Sequence, residues 1–188
     1  SAVPSREIMI VGGDGTLGRA FARICESRGI AYRAVGRAEV DISDIDEVAR
    51  VLETTKPWAV VNAAGVSRLD DAEASPARCF LANVTGPENL ARICADRKTR
   101  MLTFSSHMVF DGAARSPYRE DDPTGPVNTY GRSKTESERV VLGQLADALV
   151  VRTGAFFGPW DDRNFLVHLL RSLGSDRPVR AAEDRTIS

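Results

Sequence analysis

Three glycines at fixed spacing, Gly12-x-x-Gly15-x-x-Gly18, stand between an apolar run and an amphipathic stretch. No other feature restricts the fold of this chain as strongly. Residues 7–12 (EIMIVG) read as a buried strand. Over residues 16–28, Leu17, Ala20, Phe21 and Ile24 recur at helical spacing, and Gly29 follows as a stop. A strand that passes into a helix through such glycines must turn sharply. Gly12 allows the tight turn, and Gly18 lets the helix lie close to the sheet.

The same alternation continues along the chain. Short apolar runs at 31–35, 58–64, 101–106 and 148–153 read as further strands, and residues 44–54, 76–97, 127–145 and 165–173 as helices. Residues 107–126 are rich in Pro, Gly and Asp and read as a long loop. Continuously apolar strands separated by helices pair in parallel with both faces covered. Right-handed crossovers then produce an α/β doubly wound parallel sheet of Rossmann type with helices on both faces. At 188 residues there is enough chain for one sizeable core.

In such sheets ligands lie beyond the carboxyl ends of the strands, where Gly12, Ala64, Ser106 and Thr153 fall. The glycine turn in this setting points to a dinucleotide. Gly15 lets backbone amides approach a pyrophosphate, and the helix start at Thr16, Leu17 and Gly18 offers N–H groups and the positive end of the dipole. The dinucleotide pattern expects an acid near the end of the second strand to hold a ribose 2′-hydroxyl. This chain has Gly36-Arg37 there, with Glu39 slightly beyond. As a ligand for a 2′-phosphate, Arg37 favours NADP(H), with NAD(H) as the other candidate; as a solvated arginine it carries no such meaning.

Tyr130-Gly-Arg-Ser-Lys134 opens the helix expected at 127–145, and its i, i+4 spacing puts Tyr and Lys on one face. With three tyrosines and three lysines in the chain, chance gives this spacing in roughly one such sequence in twenty. Basic residues are otherwise nearly all Arg, so a Lys here suggests that a compact ammonium is wanted. Reduction of a carbonyl needs a hydride at carbon and a proton at oxygen. A phenol becomes competent when a neighbouring ammonium stabilises its anion. Ser106, at the end of the fourth strand, can orient the substrate oxygen. In the plainer reading Ser105 and Ser106 end a strand and Tyr130 packs.

Charge and cysteines set outer limits. Lys and Arg total 25 against 26 Asp and Glu, a net charge of −1, which leaves no footprint for nucleic acid or an anionic membrane. Cys25, Cys79 and Cys94 are odd in number and lack metal or redox spacing, so a cytoplasmic setting is expected. No secretory signal, membrane span or metal-ligand spacing is evident. A homodimer is compatible with such a chain.

Gly12-x-x-Gly15-x-x-Gly18, Asn62-Ala63-Ala64-Gly65, Ser105-Ser106 and Tyr130-x-x-x-Lys134 resemble the extended short-chain dehydrogenase/reductases. Within them, Phe104-Ser-Ser-His-Met-Val-Phe-Asp-Gly112, Pro126-Val-Asn-Thr-Tyr-Gly131 and Val151-Arg-Thr153 are similar to the dTDP-4-dehydrorhamnose reductase branch, along essentially the whole chain. The resemblance implies reduction of a nucleotide-linked 4-keto sugar by an NAD(P)-dependent oxidoreductase. It implies Tyr130 as proton donor, Lys134 as its modulator and Ser106 as ligand of the substrate oxygen. Asp41-Ile42 would border the adenine and Ala63, Ala64 and Gly65 would run along the cofactor, while Asn83 matches a mainly structural residue. It further implies a cofactor-binding domain over 1–154 and the start of a truncated substrate lobe over 155–188.

Three departures qualify that resemblance. His107 and Met108 replace the usual Asp-Tyr, so His107 stands either as a structural residue or as a substrate contact at the mouth of the site. Ala155 replaces a Trp that contacts the sugar nucleotide, and the chain stops at Ser188, where the branch continues. Asn164 matches a position near the substrate, with a helix cap as the equal alternative. Trp160 and His168 read rather as packing residues. Two rival activities stay open: a sugar-nucleotide epimerase or dehydratase, and a non-catalytic NADP-binding regulatory module.

Overall fold

The computed structural model describes residues 6–156, 165–175 and 178. Five strands, β1 (Ile8–Val11), β2 (Tyr32–Val35), β3 (Ala59–Asn62), β4 (Arg100–Ser106) and β5 (Leu149–Thr153), form one sheet in the order β2-β1-β3-β4-β5. β1 runs parallel to β2 and β3, and β3 parallel to β4. The winding direction reverses between β1 and β3, which opens a crevice at their carboxyl ends. This is the doubly wound Rossmann-type sheet that the alternating pattern implies.

Among the described residues, six helices connect and flank the strands: α1 (Thr16–Ser27), α2 (Ile45–Thr55), α3 (Leu69–Ala74), α4 (Pro76–Phe80), α5 (Gly86–Arg97) and α6 (Thr129–Gln144); a further helix, α7 (Phe165–Leu173), comes after β5 in sequence. β1 shows why both faces need covering. Met9 and Val11 join a core with Val48, Leu52, Leu90, Cys94 and Val141, contributed by α2, α5 and α6. Ile10 points the other way, into a cluster with Cys25 and Val61 against which Phe21 and Phe104 pack. The period of two along a strand sends neighbouring side chains to opposite faces. The Cys94 thiol, buried in that first core, is pushed up to about 12 by loss of solvation and is chemically inert.

Two local features lie outside the expected elements. Residues 69–74 form α3, too short and too acidic to show a periodic apolar face; Asp70 and Asp71 occupy its first turn, where the dipole favours them. The helix expected at 76–97 is interrupted at Leu81–Thr85 by a widened turn with i→i+5 hydrogen bonding. Pro87 supplies a physical reason. It has no N–H to donate, and its ring would collide with the carbonyl of Asn83, four residues earlier. Widening the turn relieves that collision.

The loop after β4 is more ordered than its composition suggests. Phe110 and Tyr118 stack at 4.1 Å, and the Tyr118 hydroxyl donates to Asp111 at 2.6 Å. Arg152 from β5 lies over Phe110, donates to the Glu120 carbonyl at 3.0 Å, and forms a two-pronged pair with Glu138 of α6 at 2.9 and 2.7 Å. By contact density the chain divides into Ser1–Arg152 and Thr153–Ser188. The division falls at the end of β5, and α7 belongs to the second unit.

Candidate active site

The glycine turn is held at three points. The amides of Gly12 and Gly13 both donate to the Val35 carbonyl at 3.0 Å, which fastens the turn to the end of β2. Gly12 has φ +81°, and a Cβ there would come within 2.6 Å of the Ala64 amide nitrogen, so the turn lies directly on the end of β3. A Cβ on Gly18 would sit 2.2 Å from the Gly12 carbonyl oxygen. Glycine is therefore required at both ends of the motif for reasons of space.

α1 begins without a capping side chain and without an acidic residue in its first turn. α2 and α6 differ: Asp44 caps the first through the Asp46 and Glu47 amides, and Asn128 caps the second through Gly131 N–H at 2.7 Å. The start of α1 is thus left with exposed residues Gly15 and Thr16 and a positive dipole end. In front of it lies a cleft of about 280 Å³.

The cleft brings together Gly12, Gly15, Arg37, Asp41, Ile42, Ala63, Ala64 and Gly65. Thr16, Leu17 and Gly18 form the first turn of α1 and lie outside its lining. The lining also includes Asp14, Ser43, Val66, Arg78, Leu81 and Ala82, which sequence spacing does not single out. Arg37 makes an ion pair with Asp41 at 3.1 Å, both side chains being more than a third exposed. Hydrogen bonds from the Ser43 hydroxyl and amide, with a smaller contribution from Arg37, hold the Asp41 carboxyl below the usual range. Ile42 packs against Gly86.

Beyond Gly65 lie the residues of the Ser-Tyr-Lys set. The Gly65 backbone passes close to the Lys134 ammonium: a Cβ at that position would lie 3.9 Å from Nζ. Lys134 is buried, donates to the Phe104 carbonyl at 3.0 Å, and stands 5.8 Å from the centre of the Tyr130 ring. Loss of solvation lowers its pKa from the usual 10.5 to about 8, an effect that Cys79 and Glu138 partly oppose. Burial raises the Tyr130 pKa, while a hydrogen bond with Ser106 acts in the opposite direction. Ser106 also accepts from the Met108 amide at 3.2 Å, which caps a single tight turn at His107–Val109. His107 opens that turn as an exposed residue beside Ser106.

Two further groups shape the site. Asn83, fully buried in the widened turn, grips the backbone after β3: its Oδ1 accepts from the Val66 amide at 2.8 Å and its Nδ2 donates to the Val66 carbonyl at 3.0 Å. Nδ2 also reaches Ser133 Oγ at 3.0 Å, and Ser133 donates to the Tyr130 carbonyl at 2.7 Å. Glu73 of α3 accepts from the amide and hydroxyl of Thr129, each at 2.7 Å, at the first turn of α6. Pro87 is the sequence signal that points to Asn83; the Glu73 contact has no local signal, since 56 residues separate the partners. Asn164 and Trp160 lie outside the described residues. Among the described residues, no cluster of His, Cys, Asp or Glu is placed to hold a metal, and no helix is long and apolar enough to cross a membrane.

Sheet order, glycine turn and cleft define a Rossmann-type α/β domain. The chain belongs to the RmlD substrate binding domain family, whose model matches residues 6–188. It is 35% identical over 186 residues to a dTDP-4-dehydrorhamnose reductase of Streptomyces griseus, covering 98% of this chain and 61% of that one. The structure of dTDP-4-dehydrorhamnose reductase from Bacillus anthracis, solved in complex with NADP, superposes with a TM-score of 0.88 at 25% identity, over 95% of this chain and 63% of the other. The chain is also 36% identical over 163 residues to methionine adenosyltransferase 2 subunit beta of Xenopus laevis, covering 83% of this chain and 48% of that protein. The chain therefore spans less than two thirds of the length of each of these relatives.

Proposed function

We propose that this chain is the cofactor-binding part of a reductase acting on a nucleotide-linked 4-keto sugar, with NADP(H) favoured over NAD(H). In this reading residues 1–154 hold the dinucleotide and 155–188 begin the substrate lobe. The residues of the cleft suit the cofactor: an uncapped helix start for the pyrophosphate, Arg37 for a 2′-phosphate, Ile42 for the adenine, and Ala63 to Gly65 as a backbone wall. When bound, the nicotinamide supplies hydride to the carbonyl carbon.

The observation that carries the proposal is the buried Lys134 beside a Tyr130 that shares a hydrogen bond with Ser106. Tyr130, protonated at neutral pH, gives its proton to the carbonyl oxygen as the alcohol forms. Ser106 orients that oxygen. The Lys134 ammonium stabilises the phenolate left behind until solvent returns a proton. His107 and Asn164 are assigned to the substrate side. The cytoplasm is the proposed compartment, in keeping with three free, buried cysteines.

Replacing Tyr130 by Phe should lower turnover about 10²- to 10⁴-fold with nucleotide binding retained. Full activity in that variant would refute the mechanism. The similarity to a methionine adenosyltransferase subunit supports a second reading, a regulatory module that binds NADP without turnover. Saturable NADPH binding with no oxidation of it on any keto sugar would favour that reading.

A further inference from the structure

The end of β2 lacks the acid that usually receives the adenosine ribose, yet it does not lack a carboxylate. Position 36 is a glycine, and the space a side chain would take is filled from the glycine turn. A Cβ built on Gly36 would lie 2.0 Å from Asp14 Oδ2. This placement is not incidental to a loose loop. The turn is tied to β2 by the paired Gly12 and Gly13 bonds to the Val35 carbonyl, immediately before Gly36. The Gly36 amide is itself committed to Glu39 at 3.0 Å, so the backbone there is fixed as well.

The charges around this point oppose each other. The cleft lining carries carboxylates at Asp14 and Asp41 and guanidiniums at Arg37 and Arg78. Arg37 is drawn toward Asp41, which Ser43 holds in place. A ribose with free hydroxyls offers two donors to a carboxylate. A 2′-phosphate offers only acceptors and negative charge, which the Asp14 carboxylate repels.

We infer that Asp14 selects between the two nicotinamide dinucleotides: its carboxylate receives the adenosine ribose hydroxyls of NAD(H) and opposes the 2′-phosphate that Arg37 attracts. Asp14 thus takes over from the glycine turn the part that an acid at the end of β2 would play, and it moderates the preference for NADP(H). This inference rests on the cleft binding a nicotinamide dinucleotide, as proposed above.

The test is a fluorescence titration of the purified chain with NADH and with NADPH, for the wild type, Asp14→Asn, and the double variant Asp14→Ala/Gly36→Asp. In Asp14→Asn, NADH should bind more weakly and NADPH more tightly, moving the ratio of dissociation constants about tenfold toward NADPH. The gain for NADPH should shrink as salt is raised. The double variant returns a carboxylate to the same space from the end of β2 and should restore the wild-type ratio. It also serves as the deciding measurement if Asp14→Asn does not unfold cooperatively. A ratio unchanged within about twofold, with both nucleotides still binding, would overturn the role of Asp14 and leave the reading of the cleft standing. Failure of the wild type to bind either nucleotide would overturn both.

Discussion

Lys134 is held in the folded chain at an energetic cost that its replacement should expose. It is buried, its one described hydrogen bond runs to the Phe104 carbonyl, and its pKa is lowered from 10.5 to about 8. Between those values the unfolded chain holds a proton at this position that the native chain has released. Wild-type stability therefore gains from this residue as pH rises through that window, and the gain is absent below about pH 8. At 1.36 kcal/mol per unit, the full window amounts to about 3 kcal/mol, of which about 2 is reached by pH 9.5. Lys134→Met keeps the volume and removes the charge. The lost bond to Phe104 subtracts about 1 kcal/mol without changing the slope. The variant should thus be about 2 kcal/mol more stable than wild type at pH 7 and lose that lead by pH 9.5. Urea unfolding of both proteins at pH 7.0, 8.0, 8.7 and 9.5 reads it directly. A stability difference that stays flat with pH would show that Lys134 titrates as an ordinary lysine, and would refute the desolvation of its ammonium in the native chain.

Three further expectations follow from contacts at the edges of the site. Gly18→Ala forces the Gly12 carbonyl to move, so it should cost about 1–3 kcal/mol in thermal unfolding and weaken NADPH binding together; unchanged affinity would detach the turn from the ligand. Asn83→Ala leaves the amide and carbonyl of Val66 without their partner, costing about 2–4 kcal/mol in urea unfolding. Arg152→Gln leaves Glu138 unpaired and frees Glu120, so limited proteolysis should cut within residues 110–125 at least several times faster than in wild type.

Much of the sheet was legible because its signals are local. Strand runs, the helix starting at Thr16, and the i, i+4 placement of Tyr130 and Lys134 each depend on residues close in sequence. α3 escaped because six residues with two adjacent aspartates carry no period to detect. Residues 76–97 read as mostly helix, and where that helix widens was missed because the cause is Pro87, a single residue acting four positions back on the chain. In the site, Gly12, Gly15, Arg37 and Ala64 could be named from spacing, since glycine patterns and strand ends announce themselves, while Ala63 and Gly65 came from the family resemblance. Arg78, Leu81 and Ala82 could not, because a helix face carries no mark of the cleft it will line.

The sequence alone determined that this chain would be a doubly wound α/β sheet with a tight turn at Gly12 to Gly18, for apolar periodicity and glycine sterics are properties of neighbouring residues. Tertiary structure decided how distant residues share one space. It set Asp14 into the gap left by Gly36, joined Asn83 to Val66 and Glu73 to Thr129, and buried the ammonium of Lys134 beside Tyr130. Those relations depend on strand order and on the burial that packing imposes, and both arise only when the sheet has closed over its two cores.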